Sequence, residues 1–150
     1  MKVQRILVPV DFSEFSQHAL AYAVELSNLF GATLDVVHVH PLTVYAAPPL
    51  LPAPTLIGQF REETENALRQ FLKDFGQKHG VELSGTVVDG APHVEIVRMA
   101  EELGADLIVM GTHGRTGVLH ALMGSFAERV VRTASVPVLT VPKPVQAAAE

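Results

Sequence analysis

The chain alternates short apolar runs with amphipathic stretches, and this alternation restricts its fold more than any other feature. "RILVPVD" (5–11) is almost continuously apolar, as expected of a strand buried on both faces. In "SEFSQHALAYAVELSNLFGA", Phe15, Ala19, Tyr22, Leu26 and Phe30 recur at three- and four-residue spacing. That spacing predicts an amphipathic helix, capped by Ser13 and ended by Gly31. "TLDVVHVH" (33–40) reads as a second strand, and a proline-rich loop follows over 41–55. Phe60, Thr64, Ala67, Leu68, Phe71, Leu72 and Phe75 form one stripe, which predicts a long helix over 56–79 stopped by Gly80. A third strand over 81–90 precedes a helix with Pro92 in its first turn. A fourth strand (106–111), a last helix (125–135) and a fifth strand (136–142) follow, with a frayed tail over 143–150. Apolar strands joined by helical crossovers build a parallel sheet with helices on both faces. The expectation is therefore one α/β domain over residues 1–150, with an open five-stranded parallel sheet.

Composition narrows the function. With 48% hydrophobic and 18% charged residues, a chain of 150 residues is globular and carries one core. A net charge of −5 argues against wholesale nucleic-acid binding, which needs a basic face. The absence of cysteine excludes disulfides, Cys-zinc sites and thiol catalysis. The N-terminal apolar run is cut short at Asp11 and lacks a signal-peptide pattern, so a cytoplasmic protein is expected. Residues 36–60 carry no Lys, Arg, Asp or Glu, yet Pro41, Pro48, Pro49, Pro52 and Pro54 would break a membrane helix there. No membrane partner is expected. His38 and His40 point the same way on a strand, and His113 and His120 sit within the glycine segment 111–125. No metal-ligand spacing joins them, so they read as solvated or locally hydrogen-bonded, and no metal ligand is assigned.

Ligands of open parallel sheets bind beyond the carboxyl ends of the strands, where strand order reverses. "VDFS" after the first strand and "GTHGRTG" after the fourth carry the richest chemistry there, and a two-half winding makes those two strands neighbours. The glycine segment 111–125 is not a P-loop, because it contains no lysine. It is not a dinucleotide fingerprint either, because no two of its glycines are one residue apart. Its spacing is Gly111-x2-Gly114-x9-Gly124-Ser125.

That spacing, with "ILVPVDFSE", "HVH", "GADLIVMGTHGRTG" and "GSFAERVVRTASVPVLTV", resembles the nucleotide-binding type of the universal stress protein family over essentially the whole chain. The resemblance implies strand order 3-2-1-4-5, ATP accompanied by Mg²⁺ or Mn²⁺, and a homodimer. The dimer would form by antiparallel pairing of the last strands, with Val136, Val138, Leu139 and Val141 at the contact. It implies that Asp11 and Val39 line the adenine and ribose end over a floor of Pro9 and Val10. It further places Met110, Gly111, Gly114, Arg115, Gly124, Ser125 and Phe126 along the nucleotide.

The residues have a physical reading consistent with these roles. Ser125 and Glu128 form an S-x-x-E capping box, marking a helix start whose free N–H groups suit phosphate. Gly124 admits close backbone approach, Gly111 leaves room for ribose and Gly114 for the phosphate chain. Arg115 would contact the outer phosphates, or simply be solvated. Asp11 reads equally as the turn residue before Ser13. No G-x-S-x-G elbow or kinase catalytic loop occurs, so no catalytic residue is assigned. The function implied is an ATP-binding stress-response regulator or sensor, working by population shift in the glycine and proline-rich loops. A dimeric scaffold without nucleotide, and a slow ATPase or phosphotransfer enzyme, are the alternatives.

Overall fold

The chain forms β1 (Arg5–Pro9), α1 (Glu14–Phe30), β2 (Thr33–His40), α2 (Ala53–His79), β3 (Gly85–Asp89), α3 (Pro92–Leu103), β4 (Leu107–Gly111), α4 (Ser125–Thr133) and β5 (Val138–Val141). The computed structural model describes residues 2–41, 53–114 and 123–143. The five strands make one parallel sheet, as the alternation of elements predicts, in the order β3-β2-β1-β4-β5 that the family resemblance implies.

The two-residue period of the strands divides the core between the two faces. Ile6, Val8, Val36 and Val109 pack with Ala19 and Leu20 of α1 and with Leu68, Leu72 and Phe75 of α2. Leu7, Val37, Ile108 and Met110 pack on the other face with Ile96 and Ala100 of α3 and Ala127 and Val130 of α4. Both faces are covered, which explains why the strand sequences are apolar without alternation.

Element boundaries differ from the sequence pattern in specific places. β1 ends at Pro9 because Phe12 takes a left-handed conformation, with φ of 67°, and turns the chain into α1. Ser13 caps α1 as expected, accepting a hydrogen bond from the Ser16 N–H, and Gly31 closes it at φ of 64°. The buried stripe of α1 is Ser16, Ala19, Leu20 and Ala23. Tyr22 and Phe30 are each 46% exposed, so the aromatic spacing marks the flank of the helix and the small residues mark its contact. Small side chains let α1 approach the sheet closely. Along α2, Leu68, Leu72 and Phe75 are buried while Ala67 is exposed. This helix begins at Ala53, so Ala53–Thr55 belong to it and not to the proline-rich loop. The remainder of that loop, 42–52, and the tail 144–150 lie outside the described residues. Strand pairing starts at Gly85 in β3 and Val138 in β5, later than the apolar runs begin.

β5 is an edge strand beside β4. Val141 is buried in the α1–α2 core, which removes its side chain from the expected intermolecular contact. Val136 and Val138 are half-buried against the α3–α4 core, and Leu139 is exposed. Among the described residues, no helix is long and apolar enough to cross a membrane.

The burial pattern of α1 predicts opposite outcomes for two neighbouring truncations. Leu20→Ala, at a fully buried position, should lower unfolding free energy by about 3 kcal/mol. Tyr22→Ala should cost less than about 1 kcal/mol. Urea denaturation of both variants checks this ordering.

Candidate functional site

A cavity of about 1000 Å³ opens at the carboxyl ends of the strands. Pro9, Val10, Asp11, Val39, Met110, Gly111, Gly114, Gly124, Ser125 and Phe126 all line it. Arg115 and His120 lie outside the described residues. Sequence reasoning did not assign several others in the wall: Phe12, His38, His40, Glu63, Thr64, Ala67, Pro92, Ile96, His113, Met123 and Glu128. The paired histidines of β2 were a visible signal for two of them. The α2 and α3 residues gave none, because only tertiary packing brings those helices over the strand ends.

Asp11 sits where β1 hands over to α1. Its Oδ1 accepts a hydrogen bond from the Ser13 N–H at 3.0 Å and another from the Ser13 hydroxyl. Its own N–H donates to Ser16 Oγ at 3.3 Å. The carboxylate therefore holds the turn into α1 and lines the cavity at once, so the two roles coincide. The ring of the next residue, Phe12, stacks on His38 at 4.3 Å and meets Phe71 edge-on at 5.4 Å. Buried His38 donates from Nδ1 to the Val10 carbonyl at 2.7 Å, which fixes its tautomer. It is a locally hydrogen-bonded histidine. Among the described residues, no group of three or more His, Asp or Glu is placed to hold a metal ion.

On the other side of the cavity, the Gly124 N–H donates to the Thr112 carbonyl at 2.8 Å, bringing the start of α4 back to the end of β4. The N-cap of α4 is Gly124, and no side chain caps the helix. This corrects the capping-box expectation. Ser125 is already inside the helix, and Glu128 reaches forward to Arg132 at 2.6 Å instead of back to the cap. The first turn of a helix has N–H groups without intrahelical partners and a partial positive charge. Here that turn, with Ser125 and Phe126, borders the cavity.

The glycines also have packing roles within the chain. A Cβ on Gly111 would lie 2.9 Å from Phe15 Cβ and 3.1 Å from its backbone carbonyl, so this glycine admits the first turn of α1. A Cβ on Gly114 would collide with Asp11 Oδ2, so this glycine admits the carboxylate. A Cβ on Gly124 would stand 3.2 Å from the Thr112 carbonyl oxygen and 3.5 Å from His113 Cα. Gly124 thus packs tightly against the end of β4.

Comparison with known proteins adds to this geometry. The profile of the universal stress protein family matches residues 2–142. The chain belongs to that family. Universal stress protein MJ0531 of Methanocaldococcus jannaschii is 37% identical over 142 residues, covering 94% of this chain and 83% of the relative. The solved structure of hypothetical protein MJ0577 is similar with a TM-score of 0.81 at 30% identity, covering 97% of this chain and all of that one. A universal stress protein from Archaeoglobus fulgidus, solved in complex with dAMP, is similar with a TM-score of 0.63 at 26% identity, covering 93% and 98% of the two chains. The family fold and the strand order observed here agree.

The position of Gly111 separates a packing role from a ligand role. Gly111→Ala should lower stability by about 1–3 kcal/mol, because Phe15 and the first turn of α1 must move. A thermal melt without any ligand reads this. A variant as stable as the wild type would instead point to a clearance kept for a ligand.

Proposed function

We propose that this universal stress protein binds ATP in the cavity at the strand ends and works as a cytoplasmic, homodimeric stress-response regulator or sensor. The observation that carries the reading is the first turn of α4, capped by glycine alone, opening onto a cavity sized for a nucleotide. The dAMP complex of the Archaeoglobus fulgidus relative supports an adenine nucleotide as the ligand class. In this reading the phosphates lie at Gly124, Ser125 and Phe126, and the base and ribose lie toward Val10, Asp11 and Val39.

The wall fits a nucleotide accompanied by Mg²⁺ or Mn²⁺. Asp11, Glu63 and Glu128 line the cavity, and no Lys or Arg does so among the described residues. A divalent ion would offset the phosphate charge beside these carboxylates, held mainly by phosphate, with Asp11 and Glu128 as the adjacent acids. Residues of the chain bind and orient the nucleotide. The α4 N–H groups face phosphate, Val39 and Val10 supply apolar packing, and Asp11 presents a carboxylate already fixed by Ser13. Signalling would follow from different nucleotide contacts in different states of the segments flanking the cavity.

One observation favours a second reading, a dimeric scaffold without nucleotide. Gly111 and Gly114 each have an internal packing role that needs no ligand. Calorimetric titration of nucleotide-stripped protein with ATP and Mg²⁺ decides between the two. The expected result is saturable binding that weakens at least about tenfold in Gly124→Val of verified fold. No heat, and no competition with a labelled nucleotide, would leave the scaffold.

The dimer is proposed to form across the β5 edge, with exposed Leu139 at the contact and the open backbone pairing antiparallel. Sedimentation should give a dimer for the wild type and a monomer for Leu139→Asp. A variant that sediments as a dimer would move the interface elsewhere.

A further inference from the structure

Three carboxylates line the cavity, and two of them are already engaged within the chain. Asp11 accepts from the Ser13 N–H and hydroxyl, and Glu128 pairs with Arg132 at 2.6 Å. Glu63, on α2, is exposed and makes no hydrogen bond or ion pair among the described residues. Ala67 stands four residues on, where a Lys or Arg would pair with it, and offers no side-chain donor. The Thr64 hydroxyl is turned back to the Phe60 carbonyl at 2.8 Å. Both oxygens of Glu63 therefore keep their accepting capacity at the cavity wall. Arg61 fixes this part of the helix. It donates to Asp89 Oδ2 at 2.5 Å and to the Val87 carbonyl at 3.3 Å, so α2 is tied to the end of β3 two residues before Glu63.

We infer that Glu63 accepts hydrogen bonds from the 2′- and 3′-hydroxyls of the ligand's ribose and so makes the cavity selective for ribonucleotides over their deoxy forms. This rests on the cavity binding a nucleotide. α2 packs on one face of the sheet, over β2 and β3, while α4 packs on the opposite face and begins beside the end of β4. β2 and β4 flank β1 on opposite sides, so two strand spacings, about 10 Å, separate their ends. Glu63 therefore lies diagonally across the cavity from the first turn of α4. A carboxylate repels phosphate, and the α4 N–H groups attract it, which leaves the uncharged nucleoside to α2. Two adjacent hydroxyls offer one donor to each carboxylate oxygen, whereas an amino group on the base offers both donors from one nitrogen. The ribose diol is the better match, and Glu63 is the specificity residue.

Equilibrium titrations with ATP, 2′-deoxy-ATP, 3′-deoxy-ATP and purine riboside triphosphate (no 6-amino group), all with Mg²⁺, test this. The proteins are the wild type, Glu63→Ala, Glu63→Gln and Glu62→Ala, each checked by thermal melt. Glu62 is an exposed neighbour that does not line the cavity, so its variant controls for the loss of one negative charge. The wild type should bind each deoxy form about tenfold more weakly than ATP. Glu63→Ala should bind ATP and both deoxy forms alike. Glu63→Gln, with one accepting oxygen, should show a reduced preference, and Glu62→Ala should keep the wild-type ratios. A wild type that binds ATP and both deoxy forms equally, or a Glu63→Ala that keeps the wild-type ratios, overturns the role of Glu63 and leaves nucleotide binding standing. So does a Glu62→Ala that loses the preference as Glu63→Ala does, because the effect would then be one of net charge. A preference that Glu63→Ala loses only against purine riboside triphosphate overturns the diol. A wild type that binds none of the four overturns both the selectivity and the nucleotide reading.

Discussion

The parallel pairing of β1 with β4 is the contact on which the rest of the molecule depends. Ile6 lies opposite Leu107 and Leu7 opposite Ile108, and none of these residues except Leu107 retains any solvent exposure. The Asp106 carboxylate accepts from the N–H groups of Gln4 and Arg5, and the Asp106 N–H donates to the Arg5 carbonyl. These bonds lock the start of one strand to the start of the other. The chain winds outward from β1 through β2 to β3, then crosses back to β4 and winds the other way to β5. Segments leaving the carboxyl ends of β1 and β4 must therefore diverge, and the cavity is the space between them.

That origin explains why the site residues have double duties. Asp11 fastens the turn into α1 and borders the cavity. Gly114 accommodates Asp11, and Gly111 accommodates the first turn of α1, so two glycines of the motif shape the cavity by packing its own walls. Gly124 closes the segment against Thr112 and leaves the first turn of α4 facing the opening. The electrostatics follow from this arrangement. Carboxylates line the cavity, while the positive contribution among the described residues comes from oriented backbone N–H groups. On the proposed reading, an anion would be held there by geometry more than by side-chain charge.

Phe12 shows how local strain and tertiary packing meet. An aromatic residue at φ of 67° is unfavourable in isolation. Its ring is held between His38 and Phe71, one from β2 and one from α2. Two elements thus converge on the residue next to Asp11. The clamp of Arg61 on Asp89 does the same at the outer edge of the cavity, tying α2 to β3 beside His40.

The sequence by itself determined the number, type and order of the elements, because each strand had to be apolar on both faces and each helix on one. It also marked most of the cavity, since a glycine spacing after β4 and an acidic turn after β1 are local patterns. Of the α1 stripe it read, Ala19 is buried but Tyr22 and Phe30 are largely exposed, because aromatic spacing is conspicuous while the buried Ser16 and Ala23 are small. It read Ser125 and Glu128 as a capping box, because a four-residue pattern does not reveal that Glu128 will pair with Arg132 or that Thr112 will fix Gly124 as the cap. Only the tertiary structure decided what each glycine approaches and which residues of α2 and α3 complete the wall. Only it set His40 against Asp89. Those contacts join residues far apart in the chain, and their distances are set by sheet register and helix packing, which no local spacing encodes.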